Sequence, residues 1–134
     1  MDINAKNFEL RQSIIPGAGK GVFTKVDIST GSFLEVKPKG TSVGVLMHED
    51  NIPSEYLHYC IAKQDGLWKC PKDFTNMELV WYLNHSDKPN AELRENGYYS
   101  VCDIESGEEI LIDYNQFDEP KNKKEAYSPL KLLL

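Results

Sequence analysis

The stretch WYLNHSDKPN, residues 81–90, places Asn84, His85 and Ser86 directly behind an apolar run and then breaks at Pro89. Proline cannot continue a helix, so taken alone the segment reads as a helix end running into a turn. Asn-His-Ser also fits the N-glycosylation pattern, which matters only in an exported chain. The first ten residues, MDINAKNFEL, contain no basic run followed by an apolar stretch, and no segment approaches membrane-spanning length. The expectation is a cytoplasmic or nuclear chain in a reducing compartment, without membrane contact, and the glycosylation reading falls.

The chain has 134 residues, enough for one core and too few for two. Its three cysteines, Cys60, Cys70 and Cys102, form no Cys-x-x-Cys pair. Such an odd, sparse set suits reduced thiols. Joined with His58 they match no structural zinc spacing, so no metal is expected. Net charge is −6, and between Glu92 and Glu119 nine acids face a single base, Arg94. An acidic face argues against nucleic acid and suits a basic, lysine-bearing partner, although a merely solvated acidic face explains it equally well.

Hydrophobic periodicity around the quoted stretch predicts short strands separated by turns. FELRQSII and VFTKVDI alternate apolar and polar positions on either side of PGAGKG, FLEV follows Thr30-Gly31, and GTSVGVLM reads as a further strand. AELRE and YYSVCDI predict a hairpin around Asn96-Gly97, and EEILIDY follows Ser106-Gly107. EYLHYCIA and LWKC are ambiguous, with Tyr, Ile and Trp favouring strand. DFTNMELVWYL is the best helix candidate, capped by Asp73 or Thr75, with Met77, Val80 and Trp81 on one face. The result is an all-β or β-rich domain with little helix.

GAGKGVF, residues 17–23, is neither a Walker loop nor a dinucleotide fingerprint: no Ser or Thr follows the Gly-Lys at the required spacing, and Val22 stands where only Gly or Ala fits. It reads as a tight turn whose glycines let backbone approach a strand or a ligand closely. In GEEILIDYN, residues 107–115, Ile110, Ile112 and Tyr114 share one strand face, where a tyrosine is more often core than catalytic.

Taken in order, GKGVF, NHSDKPN and GEEILIDY resemble the signatures of the SET-domain family of protein lysine methyltransferases, over residues 8 to about 117. The resemblance implies a mostly β SET (β-clip) fold of several small sheets, with few short helices and a knot-like crossing of the Asn-His-Ser segment with the last motif. It implies a SET domain over residues 1–117. Residues 118–134 would then be a C-terminal segment, expected to be helical, that covers the cofactor site or forms a homodimer contact. By the same resemblance Asn84 and His85 would hold S-adenosylmethionine, the Gly19-Lys20-Gly21-Val22 backbone would cradle its methionine end, and S-adenosylhomocysteine would leave as product. Tyr114 would be the catalytic tyrosine. Trp68, on the strand before the Asn-His-Ser block, would be a cofactor aromatic, and Tyr56, Tyr59, Tyr98, Tyr99 and Ile112 would line the lysine channel. Core packing is the plainer fate for any one of these aromatics.

Those residue types suit the chemistry. Methyl transfer from a sulfonium needs a neutral amine in line with the methyl group, and a free lysine has a pKa of about 10.4. A dry aromatic channel next to a positive sulfonium disfavours the charged amine. Carbonyls and a tyrosine hydroxyl can orient the methyl by CH···O contacts, and near-attack geometry supplies much of the rate.

Four departures from the family pattern stand out. Trp81-Tyr82 replaces Arg-Phe, Asp87 stands in the place of a common Cys, and Ile112 occupies a position often held by Phe or Tyr. The Cys-x-Cys zinc cluster that follows many SET domains is not found in this sequence, which resembles small stand-alone viral or bacterial members. The expected activity is methylation of lysine in a histone or other basic protein. The alternative is a non-catalytic SET-fold module binding a basic peptide or the cofactor.

Overall fold

A computed structural model describes residues 1–37, 44–63 and 65–116. The expected C-terminal helix over 118–134 lies outside these residues, as does Phe117. In chain order the strands are β1 (Asp2–Ile3), β2 (Phe8–Gln12), β3 (Lys20–Thr24), β4 (Phe33–Leu34), β5 (Val45–His48), β6 (Ile61–Ala62), β7 (Leu67–Cys70), β8 (Asn84–His85), β9 (Ala91–Arg94), β10 (Gly97–Ser100) and β11 (Leu111–Ile112). They form four small sheets, ordered β1-β4-β10-β9, β5-β7-β6, β2-β3 and β11-β8. The mostly β expectation and the several small sheets hold.

Alternation in FELRQ builds the β2–β3 hairpin, registered from Phe8↔Thr24 to Gln12↔Lys20. Phe8 is buried and Leu10 packs against the core, whereas Glu9 and Arg11 pair at 3.1 Å on the other face. The strand stops before Ser13 because Ser13 turns its side chain inward. Thr24 ends β3 with a side-chain turn, its Oγ accepting from Val26 N–H at 3.1 Å.

The hairpin of β9 and β10 is present but turns at Glu95-Asn96, with Arg94 opposite Gly97. Gly97 takes φ 140°, and a Cβ there would come within 2.9 Å of the Phe33 ring. The glycine is therefore needed for packing as well as for the turn.

The helix expected over DFTNMELVWYL does not form. Asp73 Oδ1 accepts from Thr75 N–H at 2.9 Å and Thr75 Oγ at 2.6 Å, closing a local turn. Only Leu79–Tyr82 winds into a 3-10 turn. Val80 N–H is drawn away to Val36 O at 3.1 Å, and a Val-Trp-Tyr run has little helix propensity to oppose that pull. Trp81, in the place of the family's arginine, is 5 % exposed, and its Nε1 has no hydrogen-bond partner among the described residues. Its ring lies against Gly44, where a Cβ would come within 2.8 Å of Cζ2. EYLHYCIA resolves into a 3-10 segment, Ser54–Tyr59, followed by β6.

Ile28, Leu34, Ile104, Ile110 and Ile112 fill one core shared by the sheets. Their burial presses β11 against β8 in parallel, Leu111 opposite Asn84 and Ile112 opposite His85. Two motifs some 25 residues apart in the chain thus lie next to each other.

Candidate active site

The parallel pairing is pinned by Asn90, the last residue of the quoted stretch. Its Nδ2 donates to Glu109 O at 2.8 Å and its Oδ1 accepts from Leu111 N–H at 2.8 Å. Ser86 N–H adds a bond to Ile112 O at 2.9 Å. Pro89 ends the local turn and leaves Asn90 facing the neighbouring segment, so the Pro-Asn pair has a structural purpose beyond breaking a helix.

Asn84 is 1 % exposed, and its Nδ2 donates to Lys20 O at 3.1 Å and to Glu109 Oε2 at 2.9 Å. Glu109, 3 % exposed, also accepts from Ser13 Oγ at 2.8 Å and from Ile14 N–H at 2.9 Å. A buried carboxylate is stable only when its oxygens are hydrogen-bonded, and these donors serve both of them. Gly21 passes directly over this group. A Cβ at Gly21 would overlap the Glu109 carboxylate and come within 3.0 Å of Asn84 Nδ2. The loop Ser13–Gly19, the start of β3, Asn84 and Glu109 are therefore one hydrogen-bonded unit.

His85 and Tyr114 form a second cluster next to it. Tyr114 N–H donates to His85 Nδ1 at 3.0 Å, so the neutral ring carries its proton on Nε2 and donates to Asp87 Oδ1 at 3.1 Å. Tyr114 Oη donates to Leu83 O at 2.8 Å, and the residue is 6 % exposed. The hydroxyl oxygen is thereby oriented as an acceptor.

A cavity of about 560 Å³ opens against the first unit. Gly17, Gly19 and Lys20 line it from the loop, Tyr56 and Tyr59 from the 3-10 segment, and Tyr82 from the turn before Asn84, with Gln12, Ile15 and Met77 completing the wall. Tyr59 and Tyr82 pack edge to face at 5.4 Å between centroids, and Tyr56 stacks on Phe74 at 4.9 Å. Burial raises the Tyr59 and Tyr82 hydroxyls above the ordinary phenol value, and neighbouring tyrosines add to both shifts. Both stay neutral at physiological pH.

Of the residues named from sequence, Gly19, Lys20, Tyr56 and Tyr59 line this cavity, with Gly21 and Asn84 directly behind Lys20. Val22 is fully buried, and its carbonyl accepts from Ile110 N–H at 2.7 Å. His85 and Tyr114 form the adjoining cluster and are not part of the cavity wall. Trp68 is 2 % exposed within the core, and Ile112 is 1 % exposed beneath β8. Tyr98 is buried in the four-stranded sheet, while Tyr99 packs on Phe33 and under Arg94. The structure does not bring these last four to the cavity. Sequence reasoning passed over Tyr82, Asn90, Ser13 and Glu109, although Tyr82, Asn90 and Glu109 lie inside the quoted motifs.

A family model described as SET domain matches residues 19–115, the span that contains all three motifs, Asn84, Glu109 and the His85–Tyr114 cluster. The chain belongs to the SET-domain family. No curated protein matches it. Among solved structures it is similar to a Plasmodium falciparum protein named as a candidate histone methyltransferase, at 24% identity and TM-score 0.52, covering 81% of this chain and 92% of that one. It is also similar to ctPRC2 in an autoinhibited conformation bound to S-adenosylmethionine, at 22% identity and TM-score 0.58, covering 94% of this chain and 17% of that one. A third likeness is to apo ctPRC2 carrying E840A and K852D mutations in Ezh2, at 21% identity and TM-score 0.60, covering 89% of this chain and 16% of that one. At these identities the likenesses show the fold.

Proposed function

We propose that this chain transfers a methyl group from S-adenosylmethionine to the side-chain amine of a lysine in a protein. The observation that carries the reading is the joining of the Gly19-Lys20-Gly21 backbone to Asn84 through Lys20 O, beside a tyrosine-lined cavity. The residues suit such a cofactor. The loop passes Gly21 over Asn84 with no room for a side chain, and a cavity of about 560 Å³ lies within the usual range for small-molecule sites.

When bound, the cofactor's sulfonium supplies an electrophilic methyl group for the amine lone pair. This chain's contribution is placement and electrostatics. Lys20 O and the Gly19 backbone hold one end of the cavity, fixed from behind by Asn84 and Glu109. Tyr56 and the neutral Tyr59 and Tyr82 give the amine an aromatic wall, and the two neutral hydroxyls offer its ammonium form no anionic partner. Tyr114, its proton committed to Leu83 O, offers oxygen lone pairs to a polarised methyl group. The net charge of −6 favours a basic protein substrate such as a histone.

One observation favours the second reading, a SET-fold module that binds without turnover: Tyr114 is not in the cavity wall. Titration calorimetry with S-adenosylmethionine, paired with labelled-methyl transfer to histones and other basic proteins, separates the two. The enzyme reading expects micromolar binding, about −8 kcal/mol, and transfer that Tyr114→Phe abolishes while binding persists. Binding without transfer to any basic protein would establish the module, and a folded chain that does not bind the cofactor would overturn the proposal.

A further inference from the structure

Cys70 ends β7 in the three-stranded sheet β5-β7-β6 and Cys60 immediately precedes β6, two cysteines that the proposed reaction does not use. Lys63 N–H donates to Leu67 O at 2.8 Å, which makes 63/67 a hydrogen-bonded rung of the β6–β7 pair. The register continues as Ala62↔Trp68 and Ile61↔Lys69. Rungs alternate along an antiparallel pair, so 62/68 is non-hydrogen-bonded, 61/69 hydrogen-bonded, and Cys60 stands opposite Cys70 on the next non-hydrogen-bonded rung. Cys60 keeps an extended backbone, φ −91° and ψ 157°, and its N–H points away from β7 to Leu57 O at 3.1 Å, as that rung requires. Cα atoms on such a rung lie about 4.5 Å apart, inside the span a disulfide accepts. Each thiol is an electrostatic neighbour of the other.

Cys60 is also attached to the cavity. It ends the 3-10 segment that carries Tyr56 and Tyr59, and its Sγ donates to Tyr56 O at 3.5 Å. Cys70 Sγ donates in the same way to Trp68 O at 3.6 Å. Oxidation removes both thiol hydrogens and draws the sulfurs together, so the Tyr56 carbonyl loses the thiol donor beside its bond within the 3-10 segment.

We propose that Cys60 and Cys70 form a reversible dithiol–disulfide site whose state sets the position of Tyr56 and Tyr59 on the cavity wall. The oxidant is a low-molecular-weight disulfide such as oxidised glutathione. One cysteine thiolate attacks it, forming a mixed disulfide and releasing one glutathione. The second thiolate then displaces the other glutathione. Two electrons pass from the cysteine pair to the glutathione disulfide, and the two protons the cysteines lose end on the two glutathione thiols. Both thiols are 2 % exposed or less, and burial raises their pKa values, so the exchange is slow and passes through transient opening of the sheet. The consequence for cofactor binding rests on the proposed function, but the bridge itself does not.

The test uses the full chain carrying Cys102→Ser, which removes the exposed third thiol. The protein is equilibrated with graded mixtures of reduced and oxidised glutathione, with and without urea at the foot of the unfolding transition. It is then trapped by alkylation and mapped by mass spectrometry. The expected result is a peptide linking residues 60 and 70 that dithiothreitol reverses. Thiols that stay unmodified under the most oxidising mixture, or that yield only glutathione adducts, would overturn the proposal and leave a pair of inert core thiols. Ring resonances of Tyr56 and Tyr59, compared by NMR between the two states without ligand, test the link to the cavity. They are expected to shift on oxidation and not to shift in oxidant-treated Cys60→Ser/Cys102→Ser protein. A bridge that forms without moving them would overturn the coupling. This readout is independent of whether the cavity binds S-adenosylmethionine.

Discussion

Tyr114 and His85 are joined by a backbone-to-side-chain bond: Tyr114 N–H donates to His85 Nδ1 at 3.0 Å, with the rings 5.2 Å apart. The bond selects the tautomer with the proton on Nε2, which then donates to Asp87. His85→Ala strands the Tyr114 N–H at a part-buried site, a loss of about 1–3 kcal/mol. Urea denaturation reads this directly. A variant as stable as the parent would mean that water replaces the imidazole without cost.

Tyr114→Phe removes only the hydroxyl that donates to Leu83 O. The expected loss of stability is about 1–2 kcal/mol, with the fold retained by circular dichroism. Any methyl transfer should fall roughly a hundredfold or more, the scale set by losing a positioned catalytic contact. Undiminished transfer in this variant would remove Tyr114 from the mechanism.

Glu109→Gln tests the buried acceptor. Whichever way its amide is turned, glutamine sets its NH₂ against one donor, either Ile14 N–H or Asn84 Nδ2, where the carboxylate accepts both. The variant should lose about 1–3 kcal/mol, and the loop Ser13–Gly19 should become more open to amide hydrogen exchange. Unchanged exchange in that loop would show that Glu109 does not hold it.

Gly21→Ala should cost more than an ordinary surface change, because the added methyl overlaps the Glu109 carboxylate and crowds Asn84. Overpacking of this kind costs about 1–3 kcal/mol. Ligand affinity at the cavity should fall with it, since Gly21 directly follows Lys20, which lines the cavity. Thermal melts and calorimetry on the same preparation check both effects.

Alkaline pH should destabilise the protein. Burial raises Tyr98 and Tyr59 above the ordinary 10.0 and Cys60 above the ordinary 9.0. In each group the neutral form holds the proton, so the native chain keeps protons that the unfolded chain releases. This contribution is fully present below about pH 9 and declines as pH climbs past the unfolded values. Urea midpoints measured from pH 7 upward should be level at first and then fall, and a level midpoint through pH 10.5 would contradict the burial of these groups.

Much was legible in the chain because short strands and tight turns leave local marks. Alternation in FELRQ and AELR, and the glycines in their turns, report half-buried strands without any knowledge of neighbours. The helix expected over DFTNMELVWYL failed because its hydrogen bonds go elsewhere, to Asp73 Oδ1 and to Val36 O. The Asp73–Thr75 turn is itself local, but no local pattern shows that Val80 N–H is taken by Val36 O. The aromatics divided in the same way. Tyr56, Tyr59, Trp68, Tyr98 and Tyr99 are equally apolar in sequence, yet only the first two face the cavity.

By itself the sequence determined the β-rich class, the SET family and the three segments from which the site is made, because these depend on residue identity and spacing along the chain. Which of those residues meet was decided only by the tertiary structure. The parallel pairing of β8 with β11 carries Glu109 beneath Gly21 and Asn84 and sets Tyr114 against His85, and Tyr82 packs against Tyr59 of the 3-10 segment. Each of these contacts joins segments more than twenty residues apart, where burial of a shared core and filling of every buried hydrogen-bonding group select the partners.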